Sequence, residues 1–237
     1  MLAGHFSTAL IAHQRFRSGT LLFFLIASQL QDLLWFAFHY LGLETTEPND
    51  AFDATLKDMT VNMLFSHDLL PQFIWVGVTF LVGRFLFRDN KIALAGAALV
   101  IGHFILDFFS GHPHHVFGEE SAHAGLGLYK TNVYLAIAIE AMFTVVALWI
   151  YFQNETRTRN PVGARQKASI IGLFVFGLTF MLTIATTSFR EWLNIPELDL
   201  GFNTNVPTLI LTYLGMILYL NYIIPQHQSS STPLDTE

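Results

Sequence analysis

A chain of 237 residues in which 52% are hydrophobic and only 13% are charged is too apolar for a soluble domain, which carries about a quarter of its residues as Asp, Glu, Lys or Arg. The formal net charge of −6, with no basic patch or stacking platform, argues against a nucleic-acid partner. No cysteine is present, so disulfides and thiolate ligands are excluded and a metal would rest on His, Asp, Glu or backbone oxygen.

Residues 1–17 are apolar, but the positive charge of a signal peptide is missing in front of them; Arg15 and Arg17 come after. The segment is short for a membrane span. Two placements are open: flat on the inner interface, or inserted into the bundle as a half-helix anchored by the two arginines. Six spans then follow at residues 20–43, 68–87, 91–110, 131–152, 168–188 and 206–224. Each is close to the ~20 residues that cross ~30 Å of hydrocarbon. Each must be helical, because lipid offers no partner to a free amide. The expected fold is an all-α polytopic helical bundle forming one domain over residues 1–225. The stretch 226–237, rich in Ser and Gln, reads as a disordered cytoplasmic tail.

Nine of the twelve Lys and Arg residues fall in the N-terminal segment, around residues 84–91 and around residues 157–167. Only Lys57, Lys130 and Arg190 fall on the other side. The positive-inside rule then puts both termini in the cytoplasm. The outward loops are an acidic one around residues 44–66 and a His- and Gly-rich one around residues 111–130.

Ionisable groups inside such spans are expensive and point to function. Asp32 sits in the first span, His103 and Asp107 at i and i+4 in the third, and Glu140 in the fourth. His67 and Asp68 sit at the start of the second. At ~1.5 Å rise per residue, Asp32, His67, His103, Asp107 and Glu140 lie about 18–25 Å above the cytoplasmic ends of their helices. An inserted N-terminal helix would bring His5 to about 15 Å. The last two spans carry no such group. Imidazole and carboxylate without sulfur suit Zn²⁺, with Mn²⁺ or Fe²⁺ also possible. The His-rich loop, with His112, His114, His115 and His123, reads by itself as solvated surface.

These residues resemble those of bacterial inner-membrane proteins of the membrane-bound metal-dependent hydrolase family. The matching pieces are GHF at 4–6, SQLQDLLW at 28–35, FSHDLL at 65–70, IGHFILDFFSGHP at 101–113 and GLGLY at 125–129. The HxxxD step also has a faint similarity to zinc-dependent phospholipase C. The resemblance implies a multi-pass protein of a bacterial inner membrane with His5, Asp32, His67, His103 and Asp107 as its polar signature. His112 is the loop candidate for a further ligand. Two departures stand out: Asp68 where the family tends to have Ser, and Gly111–His112 where a His often follows the HxxxD step by four residues.

The leading expectation is a membrane-embedded metal-dependent hydrolase acting on a phosphoester or related bond of a lipid or lipid-linked substrate. Glu140 would serve as a general base or as an orienter of a ligating His, and Asp68 as a second catalytic carboxylate. Two alternatives stay open. One is a proton or metal-ion transporter; the apparent lack of a broken span counts against it. The other is a scaffold whose polar layer only fixes helix packing.

Overall fold

The computed structural model describes residues 2–155, 162–196 and 201–224, so the expected tail at 226–237 lies outside the described residues. In chain order the elements are α1 (Leu2–Arg15), α2 (Leu21–Ser28), α3 (Leu30–Tyr40), β1 (Thr45–Glu47), β2 (Thr60–Asn62), α4 (Leu69–Phe87), α5 (Asn90–Ser110), α6 (Leu128–Thr131), α7 (Val133–Glu155), α8 (Ala164–Thr183), α9 (Phe189–Leu193) and α10 (Asn205–Ile223). The chain is an all-α polytopic bundle. Helices α4, α5, α7, α8 and α10 are each long and apolar enough to cross a bilayer, and the bent pair α2–α3 makes a sixth. Large apolar side chains such as Phe73, Phe85, Leu211 and Tyr222 face outward, as expected where the solvent is hydrocarbon.

Local signals set the helix ends. The Thr20 hydroxyl accepts the Phe23 N–H and starts α2. The Asp89 carboxylate accepts the Lys91 N–H and starts α5, which satisfies an amide the first turn leaves unpaired. Between them Arg88 takes a left-handed conformation (φ 53°) that ends α4. Small residues then let α4 and α5 approach closely: a methyl group added at Gly83 would lie 2.9 Å from the Ala93 Cα. Lipid gives helices no hydrophobic reason to associate, so close packing of this kind holds them together.

Of the two placements open for the N-terminal segment, the structure takes the inserted one. His5, Phe6, Ala9 and Leu10 are at most 1% exposed, and α1 packs against α2, α5, α7 and α8. Fourteen residues rise about 21 Å, short of a full crossing. The start of α1 is therefore buried, and its free amides need partners there. Glu140 of α7 provides one, accepting the Ala3 N–H at 2.6 Å. At the other end, Gln14 donates to the Tyr151 carbonyl (3.0 Å) and to Glu155 (2.7 Å).

The first span was expected to be continuous; it is not. Helices α2 and α3 meet at 63°, with Gln29 at φ −113°, ψ 11° between them. Ser28 turns its hydroxyl back onto the Leu25 carbonyl (2.9 Å), a local bond that competes with the helix ladder and bends it. The break frees the Ser28 carbonyl, which becomes part of the site described below. A short antiparallel ladder β1–β2, not among the expected elements, pairs Thr45 with Asn62 and Glu47 with Thr60 and ties off residues 48–59 as a closed loop.

The α4–α5 approach predicts a contrast between two glycines. Gly83→Ala should destabilise the protein by about 1–3 kcal/mol, because the obstructing atom is backbone. Gly77, with nothing within 4 Å of an added methyl, should accept Ala with no loss. Denaturant unfolding in mixed micelles measures both.

Candidate metal centre

Four segments deliver five ionisable side chains to one point. His5 comes from α1, Asp32 from α3, His67 from the turn before α4, and His103 with Asp107 from α5. All five are buried. His5 Nε2 lies 3.2 Å from Asp107 Oδ1. His103 Nε2 lies 3.2 Å from Asp107 Oδ2 and 3.8 Å from Asp32 Oδ2. His67 Nε2 lies 3.4 Å from Asp32 Oδ1 and 3.9 Å from Asp107 Oδ2. The donor atoms form two overlapping triplets, His5–His103–Asp107 and Asp32–His67–His103, which share His103.

Partners on the far nitrogens orient two of the rings. His103 Nδ1 is 2.8 Å from the Ser28 carbonyl. A carbonyl can only accept, so Nδ1 carries the proton and Nε2 presents its lone pair to the carboxylates. His67 is set by a longer relay. The Ser66 hydroxyl donates to Glu44 Oε2 (2.9 Å) and is 2.7 Å from His67 Nδ1. With its own proton committed to Glu44, Ser66 accepts from Nδ1–H and leaves the His67 Nε2 lone pair facing Asp32. Glu44 is in turn held by the Phe65 and Ser66 amides, both at 2.7 Å. Burial raises the Glu44 carboxyl above its usual range, although these bonds favour its charged form. His5 has no such support on Nδ1; it is held by stacking on His103, ring centroids 3.6 Å apart.

The donor set fits a divalent ion. Ligands at ~2.05 Å in a tetrahedron lie about 3.3 Å apart, and the separations above run from 3.2 to 3.9 Å. Two carboxylates this deep in a low dielectric repel each other and lose hydration. Imidazole lone pairs pointed at them add to the repulsion unless a cation, or added protons, lies between. Oxygen and nitrogen without sulfur suit zinc, manganese or iron. Gln29, at the helix break, adds support: with its amide turned to satisfy both neighbours, it donates to Asp32 Oδ2 (3.3 Å) and accepts the Phe6 N–H (3.1 Å).

Other residues singled out in the sequence fall elsewhere. Asp68 is buried but points away from the centre, accepting the His115 N–H (2.9 Å) and the Gly118 N–H (2.6 Å). It anchors the loop after α5, and the expected catalytic role has no geometric support. Glu140 accepts from Ala3 and from the Tyr129 hydroxyl (3.3 Å). These bonds hold the start of α1, and thereby His5, rather than any imidazole. The loop histidines are not all solvated as expected. With the loop fastened by Asp68, His112 and His114 are buried and none of their four ring nitrogens has a partner. Burial, aided by the positive charge of Lys130 for His112, holds each imidazole down to about 3. His114 stacks on His67 (5.3 Å). His123 stays exposed.

Beside the centre is a cavity of about 140 Å³ lined by Asp32, His67, Asp107, His112 and His114 on one side and by Met59, Met63, Met181, Leu209 and Tyr213 on the other. Glu44, Ser66, Gln29 and Tyr213, which interacts with Asp32, were not anticipated. Glu44 read as one more acid of an outer loop, and a Ser-His pair carries no signal until a carboxylate is seen behind it. No family model, curated protein or solved structure matches the chain.

Two expectations follow. Ser66→Ala or Glu44→Gln should weaken metal binding by about 10–100-fold while leaving every ligand in place, measured by metal competition titration. In metal-free protein, unfolded His112 and His114 take protons below about pH 6.5, whereas folded they stay neutral down to about 3. Stability should therefore fall as pH drops through that window. A His112→Asn/His114→Asn variant should show a shallower fall in thermal unfolding.

Proposed function

We propose that the protein is a membrane-embedded metal-dependent hydrolase acting on a phosphoester or related bond of a lipid or lipid-linked substrate. One observation carries this: His67 and His103 are each fixed by a hydrogen bond on Nδ1 so that their Nε2 lone pairs meet two carboxylates beside an apolar cavity. Packing alone does not call for that. A polar layer that only holds helices would pair donors with acceptors one to one, whereas here the ligand atoms of two His–Asp triplets crowd within 4.8 Å of one another.

Asp32, His67, His103 and Asp107, with His5, would hold the ion. A bound Zn²⁺ or similar ion would polarise the phosphoryl group and make its water acidic enough to attack near neutral pH. The remaining work belongs to the chain. Glu44 and Ser66 keep His67 in one tautomer, and the Ser28 carbonyl does the same for His103. His112 and His114, neutral and without partners, offer N–H groups to phosphoryl oxygens in the cavity. Met59, Met63, Met181 and Trp35 keep the reacting end away from bulk water. Asp68 and Glu140 act in this reading as anchors for the loop and for α1.

A second reading, transport of protons or a metal ion, gains one observation: the first span is broken beside the centre, as ion-binding helices of transporters often are. The two separate experimentally. A hydrolase releases phosphate or alcohol from lipid phosphoesters in detergent; a transporter moves ions across sealed vesicles and releases nothing.

The same proposal places the chain in a bacterial inner membrane with both termini cytoplasmic. The native chain lacks cysteine, so single cysteines report topology cleanly. Those at Asp53 and His123 should react with an impermeant maleimide from outside, and one beyond Gln226 should not.

The metal assignment predicts that wild type, purified without chelator, carries stoichiometric divalent metal by mass spectrometry. His103→Ala and Asp107→Ala should lose it and any phosphoesterase activity while keeping the elution profile of folded protein. His123→Ala should keep both. Metal-free wild type, or full occupancy in His103→Ala, would refute the centre.

A further inference from the structure

The cavity beside the centre has walls of unequal character. Its roof is residues 49–59, fastened on two sides. Toward α8 and α9, the Leu56 and Lys57 amides donate to the Ile184 and Ala185 carbonyls (2.9 and 3.1 Å), and the Arg190 amide donates to the Phe52 carbonyl (2.9 Å). The Arg190 guanidinium also pairs with both Asp50 and Asp53. Toward α10, the Thr204 and Asn205 amides donate to the Asn49 carbonyl (2.8 and 3.0 Å). The Ala51 amide donates to the Thr204 hydroxyl (3.0 Å), and the Asn205 side chain to the Pro48 carbonyl (3.0 Å).

The side wall, where the end of α8 faces the start of α10, is different. Phe180 and Met181 of α8 line it together with Ile184 just past the helix end, and Thr208, Leu209 and Thr212 line it from α10. Among the described residues no hydrogen bond joins the two helices at this level. The polar tie between them, Gln166 to the Ile223 carbonyl (3.0 Å), is at the opposite ends of both helices. Of all the residues lining the cavity, Thr208 alone is exposed. The surface around it is hydrocarbon-like: Leu182 and Leu211 are exposed, as are Trp192 and Leu193 on the short helix α9. Trp192 donates to the Thr183 carbonyl (3.1 Å), placing an amphipathic ring where interfacial aromatics sit.

We propose that the seam between α8 and α10, at Thr208, is a lateral portal through which one hydrocarbon chain of a membrane lipid enters from the bilayer. The lipid's phosphate-bearing end then comes to rest against Asp32, His67 and Asp107, with His112 and His114 beside it. This rests on the hydrolase reading for what happens to the lipid, but not for how it arrives. A roof held by ion pairs and backbone bonds closes the cavity to water. A wall of Phe, Met, Leu and Thr without polar ties opens toward acyl chains. A cavity of about 150 Å³ holds roughly one benzene-sized group, so the phosphate end fits inside while the chain stays in the seam.

A single cysteine in this cysteine-free chain tests the route without requiring turnover. Thr212→Cys, with Met181→Cys as the second position should the first fail to fold, is reconstituted into phosphatidylcholine vesicles. The vesicles are then exposed to pyrenyl maleimide, which dissolves in the bilayer, or to a sulfonated maleimide confined to water. The bilayer reagent should react about tenfold faster than the aqueous one. Adding Thr208→Trp should slow it about tenfold, whereas Leu211→Trp, exposed on the same helix but outside the cavity lining, should not. Phosphatidic acid in the vesicles should also slow the reaction. Equal or faster labelling from water, no labelling by either reagent, indifference to Thr208→Trp, or indifference to phosphatidic acid each overturns the portal. Bilayer labelling with this pattern in a protein that hydrolyses no phosphoester overturns the hydrolase reading alone.

Discussion

Two carboxylates held together inside a membrane are the constraint on which the rest of the structure depends. Asp32 and Asp107 come from different helices and meet within reach of the same imidazoles. In hydrocarbon each charge loses its hydration, and each repels the other. The bundle does not separate them. It surrounds them with three imidazoles and fixes two of those rings with acceptors on the far side, so that lone pairs converge instead of N–H groups. Such an arrangement is stable when positive charge fills the gap. Two triplets of possible ligand atoms overlap at that point and share His103.

The surrounding architecture makes sense as support for that point. A helix that begins inside the bundle is costly, because its first amides have no water to meet. Glu140 answers that cost, and α1 in return carries His5 to the cluster. The break at Gln29 follows a similar logic. An unbroken first span would spend the Ser28 carbonyl on its own ladder; the bend releases it to His103 and brings the Gln29 side chain to Asp32. Further up, Gln31 donates to Gln72 (2.9 Å) and to the Val100 carbonyl (2.8 Å), joining α3, α4 and α5 around the centre.

How much of this the sequence disclosed depended on the kind of signal. The spans were legible because twenty apolar residues in a row have one meaning in a bilayer. Asp32, His103 and Asp107 were legible because each interrupts such a run, and His67 and His5 through the depth they would reach. Glu44 was invisible for the opposite reason: in an acidic loop, one buried Glu looks like its exposed neighbours until Ser66 and His67 are placed beside it. The helix break was equally hidden, since Ser28 and Gln29 are ordinary residues for a polar stripe and no Gly or Pro marks the bend. Asp68 misled. A carboxylate beside a candidate ligand reads as catalytic, but its oxygens were already taken by two loop amides far along the chain. The loop histidines misled in the other direction, because burial of His112 and His114 depends on that same distant anchor.

The loop that follows α5 depends on Asp68 for its fixed position. An Asp at that position can hold two amides at once, His115 and Gly118, where a hydroxyl would hold fewer and without charge. Charge-assisted bonds of this sort are about twice as strong as neutral ones. The loop they fix carries His112 and His114 into the cavity with no partner for any ring nitrogen, an expensive state for groups so deeply buried. The Asp68 anchor therefore decides where the two buried imidazoles stand: by fixing the loop through two amides it sets them on the cavity wall beside His67 and Asp107.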